Sequence, residues 1–332
     1  MTISQDEVIW CYRMILGREP ESADVVQKLM KSHNLPTLRE AFLRSPEFAE
    51  KRKVLSTSRP QVSFLPLDLP KNEIEYEATA IQLSRCLEKI GAAWSHLGMT
   101  KPHFSVLTNK QFLPENIDEN IDKFWASGEV ESVQVEGMLA RHNFTSLSTK
   151  ICVEFGCGVG RVTMGLARRF AQVHCYDISQ GHLALAEQRA QDVGVSNCRF
   201  HLCSDNLLNP LAACDFFYSR IVFQHNPPPI IHQLIRNALR SLKPDGIAIF
   251  QVPTYCIDYH YSIREWLAAD HELAMQMHCL PQQVIFSIIT DENCELLEVR
   301  EDNYTGAPDR FISNTFVVRK KGRVNALLRW LK

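Results

Sequence analysis

No two of the 11 cysteines in this 332-residue chain stand at the C-x-x-C spacing. Zinc knuckles and short redox loops are built on that spacing, so no structural metal is expected. Cys152, Cys175 and Cys214 sit instead in apolar, strand-like runs, which reads as buried free thiols rather than a disulfide framework. Charge of one sign is equally scarce. The 36 Lys and Arg residues face 38 Asp and Glu residues, and a net charge of -2 supplies no overall field for holding a polyanion. Nucleic acid is therefore not expected as a partner. Apolar runs of bilayer-spanning length are also missing, and Met1 to Glu7 lack a basic segment followed by an apolar one, so a cytoplasmic location is expected. There is no internal repeat and no low-complexity tract. What is present is the balance of a soluble globular protein, 45% apolar and 22% charged, in a chain too long for one ordinary small domain.

Residues 7 to 53 read as helices. Val8, Tyr12 and Ile15 fall on one face, Gly17 with Pro20 ends that run, and Leu38, Phe42 and Phe48 mark another face. The stretch from Tyr12 to Pro20, with Phe42-Leu43-Arg44-Ser45-Pro46-Glu47-Phe48, resembles a small helical domain found with bacterial glycosyltransferases, polysaccharide-modifying enzymes and surface proteins. A plain helical packing module is the alternative. Residues 1 to 55 are thus expected to form a small all-helical domain. Residues 56 to 72, with Pro60, Pro66 and Pro70 and no sustained period, read as a linker. A helical lead-in and cap segment follows over 73 to 136, with Ile81, Leu83, Leu87, Ile90 and Trp94 spaced for a buried stripe. Residues 101 to 128 mix aromatic and polar groups without clean periodicity, as a segment covering a ligand site can.

From Lys150 onward short apolar runs alternate with helical stretches, the sequence appearance of a parallel sheet with crossover helices. Strands are predicted at 151 to 155, 172 to 176, 198 to 202, 214 to 218 and 246 to 251. Two later runs, 295 to 300 and 313 to 319, add a terminal antiparallel pair. The predicted fold is α/β: a Rossmann-like sheet of mostly parallel strands, one antiparallel strand near the C-terminus, and the small helical domain in front. Residues 137 to 320 make up the main domain, and 321 to 332 form a basic amphipathic tail.

The run Ile151-Cys152-Val153-Glu154-Phe155-Gly156-Cys157-Gly158-Val159-Gly160 is a buried strand entering three alternate glycines, with a helix expected from Arg161 to Phe170. Glycines there permit a tight turn and close approach to a ligand, and the amides at a helix start suit a carboxylate. Asp177 ends the next strand about 20 residues after Gly156, the interval of a ribose-binding acid. Leu202-Cys203-Ser204-Asp205 follows a third strand. Residue for residue this combination resembles the class I S-adenosylmethionine-dependent methyltransferases, whose motif reads E-x-G-x-G-x-G. The resemblance covers about residues 101 to 320 and implies S-adenosylmethionine as cofactor. It assigns Glu154, Gly156, Cys157, Gly158 and Gly160 to the methionyl part, Asp177 with Ile178 to the ribose, and Asp205 with Asn206 to the adenine. Leu242-Lys243-Pro244-Asp245-Gly246 matches the family's turn before its fifth strand, with Asp245 in place of the commoner glycine.

Methyl transfer from a sulfonium is an in-line displacement, so the protein must mainly align donor and acceptor, with a base where the acceptor is a hydroxyl. The segment Tyr218 to Asn226 leaves the fourth strand at the carboxyl end of the sheet, where such folds bind ligands. His225 is the candidate base, with shaping of the loop as its alternative role. Arg220 is a candidate for holding an anionic acceptor group, an ordinary ion pair being the alternative. Tyr255, with Tyr259, His260, Tyr261 and Trp266, is a candidate for lining an acceptor pocket, or for packing.

The expected acceptor is a small molecule or glycan methylated on oxygen. Two alternatives stand beside this. One is a catalytically inactive cofactor-binding scaffold. The other is an NAD-dependent sugar-nucleotide oxidoreductase, which would need G-x-G-x-x-G and Tyr-x-x-x-Lys, and neither appears at the matching place. Basic residues with Val324, Leu327, Leu328 and Leu331 give the tail a face for peripheral contact with the inner membrane surface, and residues 1 to 55 are a candidate contact for glycan-assembly enzymes.

Overall fold

The computed structural model describes residues 3–16, 18–48, 65–66, 68–203, 210–269 and 275–322. They fall into two compact units, residues 1–61 and 62–332.

In the first unit, helix α1 (Gln5–Cys11) starts from a capping box in which the Ser4 side chain accepts from the Glu7 amide and the Glu7 carboxylate takes the Ser4 amide. It runs into a π-helical turn over Tyr12–Leu16, followed by α2 (Ala23–Ser32) and α3 (Leu35–Leu43). Val8, Tyr12, Leu16, Val26, Leu38 and Phe42 close a small core. The π turn advances the chain by an extra residue, so Leu16 is fully inside and Ile15 only partly so.

The second unit is built on one seven-stranded sheet: β1 (Ile151–Phe155), β2 (Gln172–Asp177), β3 (Cys198–Leu202), β4 (Cys214–Ser219), β5 (Leu242–Cys256), β6 (Cys294–Asp302) and β7 (Phe311–Lys320). Its order is β3-β2-β1-β4-β5-β7-β6, and only β7 runs against its neighbours. All seven predicted strands are present. The fifth is longer than expected at both ends, because Leu242 pairs with Cys214 of β4 and β7 pairs from Ile247 with Arg319 to Cys256 with Phe311.

Alternation along the strands sorts side chains into two cores. Cys152, Phe216 and Tyr218 face one layer of helices, while Val153, Phe155 and Phe217 face the other. The helices are α4 (Ala80–Thr100), α5 (Pro102–Val106), α6 (Ile117–Arg141), α7 (Thr163–Ala167), α8 (Gln180–Asp192), α9 (Pro228–Ser241), α10 (Ile263–Ala268) and α11 (Gln282–Asp291). Two expectations are corrected here. The helix after the glycine loop covers only Thr163–Ala167 of the expected Arg161 to Phe170. In α4, Ile81 is exposed, and the buried stripe is Cys86, Leu87, Ile90 and Leu97.

Helix α6, the longest in this unit, left no apolar signature. Its inner face is Phe124, Gly128, Glu131, Ser132, Val135 and Leu139, which has helical spacing but a small or polar residue at half the positions. Gly128 is there for space: a Cβ would stand 1.9 Å from the carbonyl oxygen of Arg161. Because that neighbour is backbone, Gly128→Ala is expected to lower the stability of the unit by about 3 kcal/mol through overpacking. Urea unfolding checks this, and an unchanged midpoint would show that the loop yields.

Candidate active site

The strand order reverses between β1 and β4, and the carboxyl ends of those strands open into one cavity. Gly156, Gly158 and Gly160 all have positive φ (77°, 54° and 82°), a region costly for any residue with a Cβ. The loop is also packed: a Cβ on Gly156 would meet Val222 at 2.3 Å, and one on Gly158 would meet Val106 at 2.5 Å. Backbone bonds from the Gly156 and Cys157 amides to the Tyr176 carbonyl tie the loop to β2.

Asp177, at the end of β2, is buried. Its carboxylate accepts from the Gly158 amide at 2.8 Å and from the Ser179 amide at 2.9 Å. It also lies 3.4 Å from His182 Nδ1, and His182 Nε2 lies 2.8 Å from the Ser105 hydroxyl. A chain of polar contacts therefore joins the acid to α5 in the cap. Ile90, Trp94, Ser105 and Val106 place α4 and α5 in the cavity wall.

Glu154 is buried at the end of β1 and accepts the Thr163 hydroxyl at 2.6 Å. Burial raises its carboxyl to about 7, against the opposing pull of Thr163 and Arg161. A carboxyl titrating there binds a cationic ligand better once ionised. The affinity for S-adenosylmethionine is expected to rise as pH is raised through about 7, and Glu154→Gln should flatten that profile. Calorimetry at pH 6 and 8 tests it, and equal slopes for the two proteins would rule it out.

Past the loop, at the end of β4, Tyr218 and Arg220 enter the cavity wall beside Arg161 and Glu131. Glu131, on α6, takes the Tyr218 hydroxyl at 2.5 Å on one oxygen and both Arg161 and Arg220 on the other. Arg220 also donates to Tyr304 Oη at 2.8 Å, its guanidinium 4.3 Å above that ring. The next residue, Ile221, is held at φ 57°, a strained setting for a β-branched side chain, with its amide fixed by Gln251 at 3.0 Å.

The structure brings Glu154, Gly156, Cys157, Gly158, Asp177, Ile178 and Arg220 together around this cavity, with Gly160 just behind the wall against Met164 and Ala186. Asp205 and Asn206 lie outside the described residues, as does the tail from residue 323. His225 is not in the wall. Its Nδ1 faces the Gln276 carbonyl at 3.0 Å and therefore carries the proton, its Nε2 faces the Gln224 amide at 3.2 Å, and its ring packs on Trp94. Burial lowers it to about 4. Both nitrogens being engaged, the ring braces the loop after β4. Tyr255 also lies elsewhere, its hydroxyl donating to the Pro70 carbonyl at 2.8 Å. Tyr259, His260, Tyr261 and Trp266 line a separate surface groove. Sequence reading missed Glu131, His182, Ser105 and Tyr304. Each is recognisable only from a neighbour brought by the fold.

A mostly parallel sheet with a glycine loop and a buried acid at its switch point puts a ligand site at the carboxyl ends of β1, β2 and β4. Residues 152–246 match the methyltransferase domain family. Residues 152–246 are accordingly a methyltransferase domain. No curated protein is a significant match in sequence. Among solved structures, the chain is similar to magnesium protoporphyrin IX methyltransferase from Synechocystis PCC 6803 with bound SAH, at 16% identity and a TM-score of 0.45, covering 60% of this chain and 87% of that one. It is also similar to geranyl diphosphate C-methyltransferase from Streptomyces coelicolor A3(2), at 14% identity and a TM-score of 0.44, covering 57% and 76%. A SAM-dependent methyltransferase from Methanosarcina mazei shares 19% identity at a TM-score of 0.42, covering 55% and 98%. Among the described residues no helix is long and apolar enough to cross a membrane.

Proposed function

We propose that the protein transfers a methyl group from S-adenosylmethionine to a hydroxyl oxygen of a small acceptor, a saccharide or glycan-related molecule. The observation that carries this reading is a single cavity running from Asp177 at the end of β2 to Tyr218, Arg220 and Asn226 at and beyond the end of β4. One end suits a ribose. The other sets the hydrogen-bonding side chains of Tyr218, Arg220 and Asn226 among the apolar Ile221, Val222 and Leu234, which suits an acceptor with both hydroxyl groups and an apolar face. The resemblance of residues 12 to 48 to a module that accompanies polysaccharide-modifying enzymes supports the saccharide class.

The cofactor's sulfonium supplies an electrophilic methyl group when bound. Asp177 holds the ribose hydroxyls while keeping the glycine loop closed on itself, and Glu154 stands ready as the counter-charge to the cationic donor. Trp94 and Val106 keep water from the reacting centre, which strengthens every charge interaction inside. Catalysis in this reading is alignment and exclusion of water, with His225 acting through the loop it braces.

The test is incubation with isotopically methyl-labelled S-adenosylmethionine and three acceptor pools: neutral sugars, sugar nucleotides and sugar acids, and non-sugar phenols. Products are read by mass spectrometry, with Asp177→Ala as control. Label on a sugar oxygen is expected. Label confined to the phenols would overturn the saccharide assignment, and tight binding with no turnover on any pool would favour a cofactor-binding scaffold.

A further inference from the structure

The end of the cavity beyond the glycine loop sets two guanidinium groups on one carboxylate. Arg161, 93% buried by its 7% exposure, and Arg220 send their Nη2 groups to the same oxygen of Glu131. Their Nη1 groups go to Ser127 at 3.3 Å and to Tyr304. The Nε–H of each is buried with no acceptor. Two guanidinium ions thus share one carboxylate oxygen, and the Nε–H of each is unmet behind the wall of a cavity that both residues line, which is costly without a further acceptor. Glu154 and Asp302 act on Arg161 and Arg220 through space but accept no hydrogen bond from either. Glu154 is bonded to Thr163, and Asp302 is occupied by Thr315 and the Tyr304 amide.

Building on the methyltransferase reading, we propose that Arg161 and Arg220 form an oxyanion subsite for the acceptor, taking a carboxylate or phosphate that it carries. Topology places this site on the acceptor side. Asp177 ends β2 and Arg220 directly follows β4, on opposite flanks of β1 and its loop. Tyr304, from the turn between β6 and β7, holds the Arg220 plane flat by stacking beneath it and by the Nη1 bond. A planar fork fixed in this way matches a planar or tetrahedral oxyanion better than a flexible ammonium would.

The experiment is calorimetric titration of the full chain, first with S-adenosylhomocysteine and then, in its saturating presence, with D-glucuronate, inorganic phosphate and neutral D-glucose. At least one anion is expected to bind tenfold or more tighter than glucose, and comparison of the two anions tells carboxylate from phosphate. Arg220→Gln should weaken the anion at least tenfold and leave S-adenosylhomocysteine within twofold. The proposal is overturned if neither anion outbinds glucose. It is also overturned if Arg220→Gln weakens S-adenosylhomocysteine in step with the anion, since the arginines would then serve the cofactor's own carboxylate. Should circular dichroism show that the variant is unfolded, the comparison of anions with glucose on the unaltered protein decides alone. Failure of the first titration would be failure of the methyltransferase reading itself, seen before any anion is added.

Discussion

Asp177→Ala should weaken S-adenosylmethionine about 100-fold, close to 2.7 kcal/mol at room temperature. The carboxylate has two tasks that the substitution removes together. In the proposed reading it accepts from the ribose hydroxyls, and it is the acceptor for the Gly158 and Ser179 amides, which hold the glycine loop and the start of α8 in register. Each buried donor left without a partner costs about 1–3 kcal/mol, so part of the loss falls on the loop before any ligand arrives. Asp177→Asn, which keeps one acceptor oxygen, should fall between the two proteins. Calorimetry with NADH as a control ligand reads the result. A variant that still bound S-adenosylmethionine within threefold would show that the ribose is held elsewhere.

The second large effect is on stability. Glu131→Ala is expected to destabilise the protein by about 3–5 kcal/mol, because it strands Arg161 and Arg220 in the cavity wall with no carboxylate between them. Tyr218 loses its acceptor in the same step. Arg220→Gln should cost less, since it leaves Arg161 and Glu131 as a one-to-one pair. The order of the two variants in urea unfolding is therefore the critical reading. If removing the arginine cost as much as removing the glutamate, the two positive charges would not be sharing that carboxylate.

Where side-chain chemistry repeats along a short stretch, the sequence was enough. Short apolar runs between helical stretches marked all seven strands, and the last two, at 295 to 300 and 313 to 319, were placed as a terminal antiparallel pair. The E-x-G-x-G-x-G run and Asp177 are local signals of the same kind, since positive φ leaves glycine little competition at Gly156, Gly158 and Gly160. Helix α6 escaped notice because periodicity detects apolar faces, and this face is lined by Gly128, Glu131 and Ser132.

Only tertiary structure could decide which polar groups meet. Glu131 lies 30 residues from Arg161 and 89 from Arg220, and Ser105 lies 77 residues from His182. Nothing in their local sequence marks them, because a buried charge is defined by its partner. The same limit moved His225 from candidate base to brace. Its position after β4 was legible, but the Gln276 carbonyl and the Gln224 amide that engage its ring reach it only once the chain has folded. The sequence by itself determined the sheet, the glycine loop and the place of Asp177 at the end of β2, since each is set by backbone conformation and local patterning. The charge arrangement in the rest of the cavity was decided by long-range packing, which alone sets burial and brings distant donors and acceptors within bonding distance.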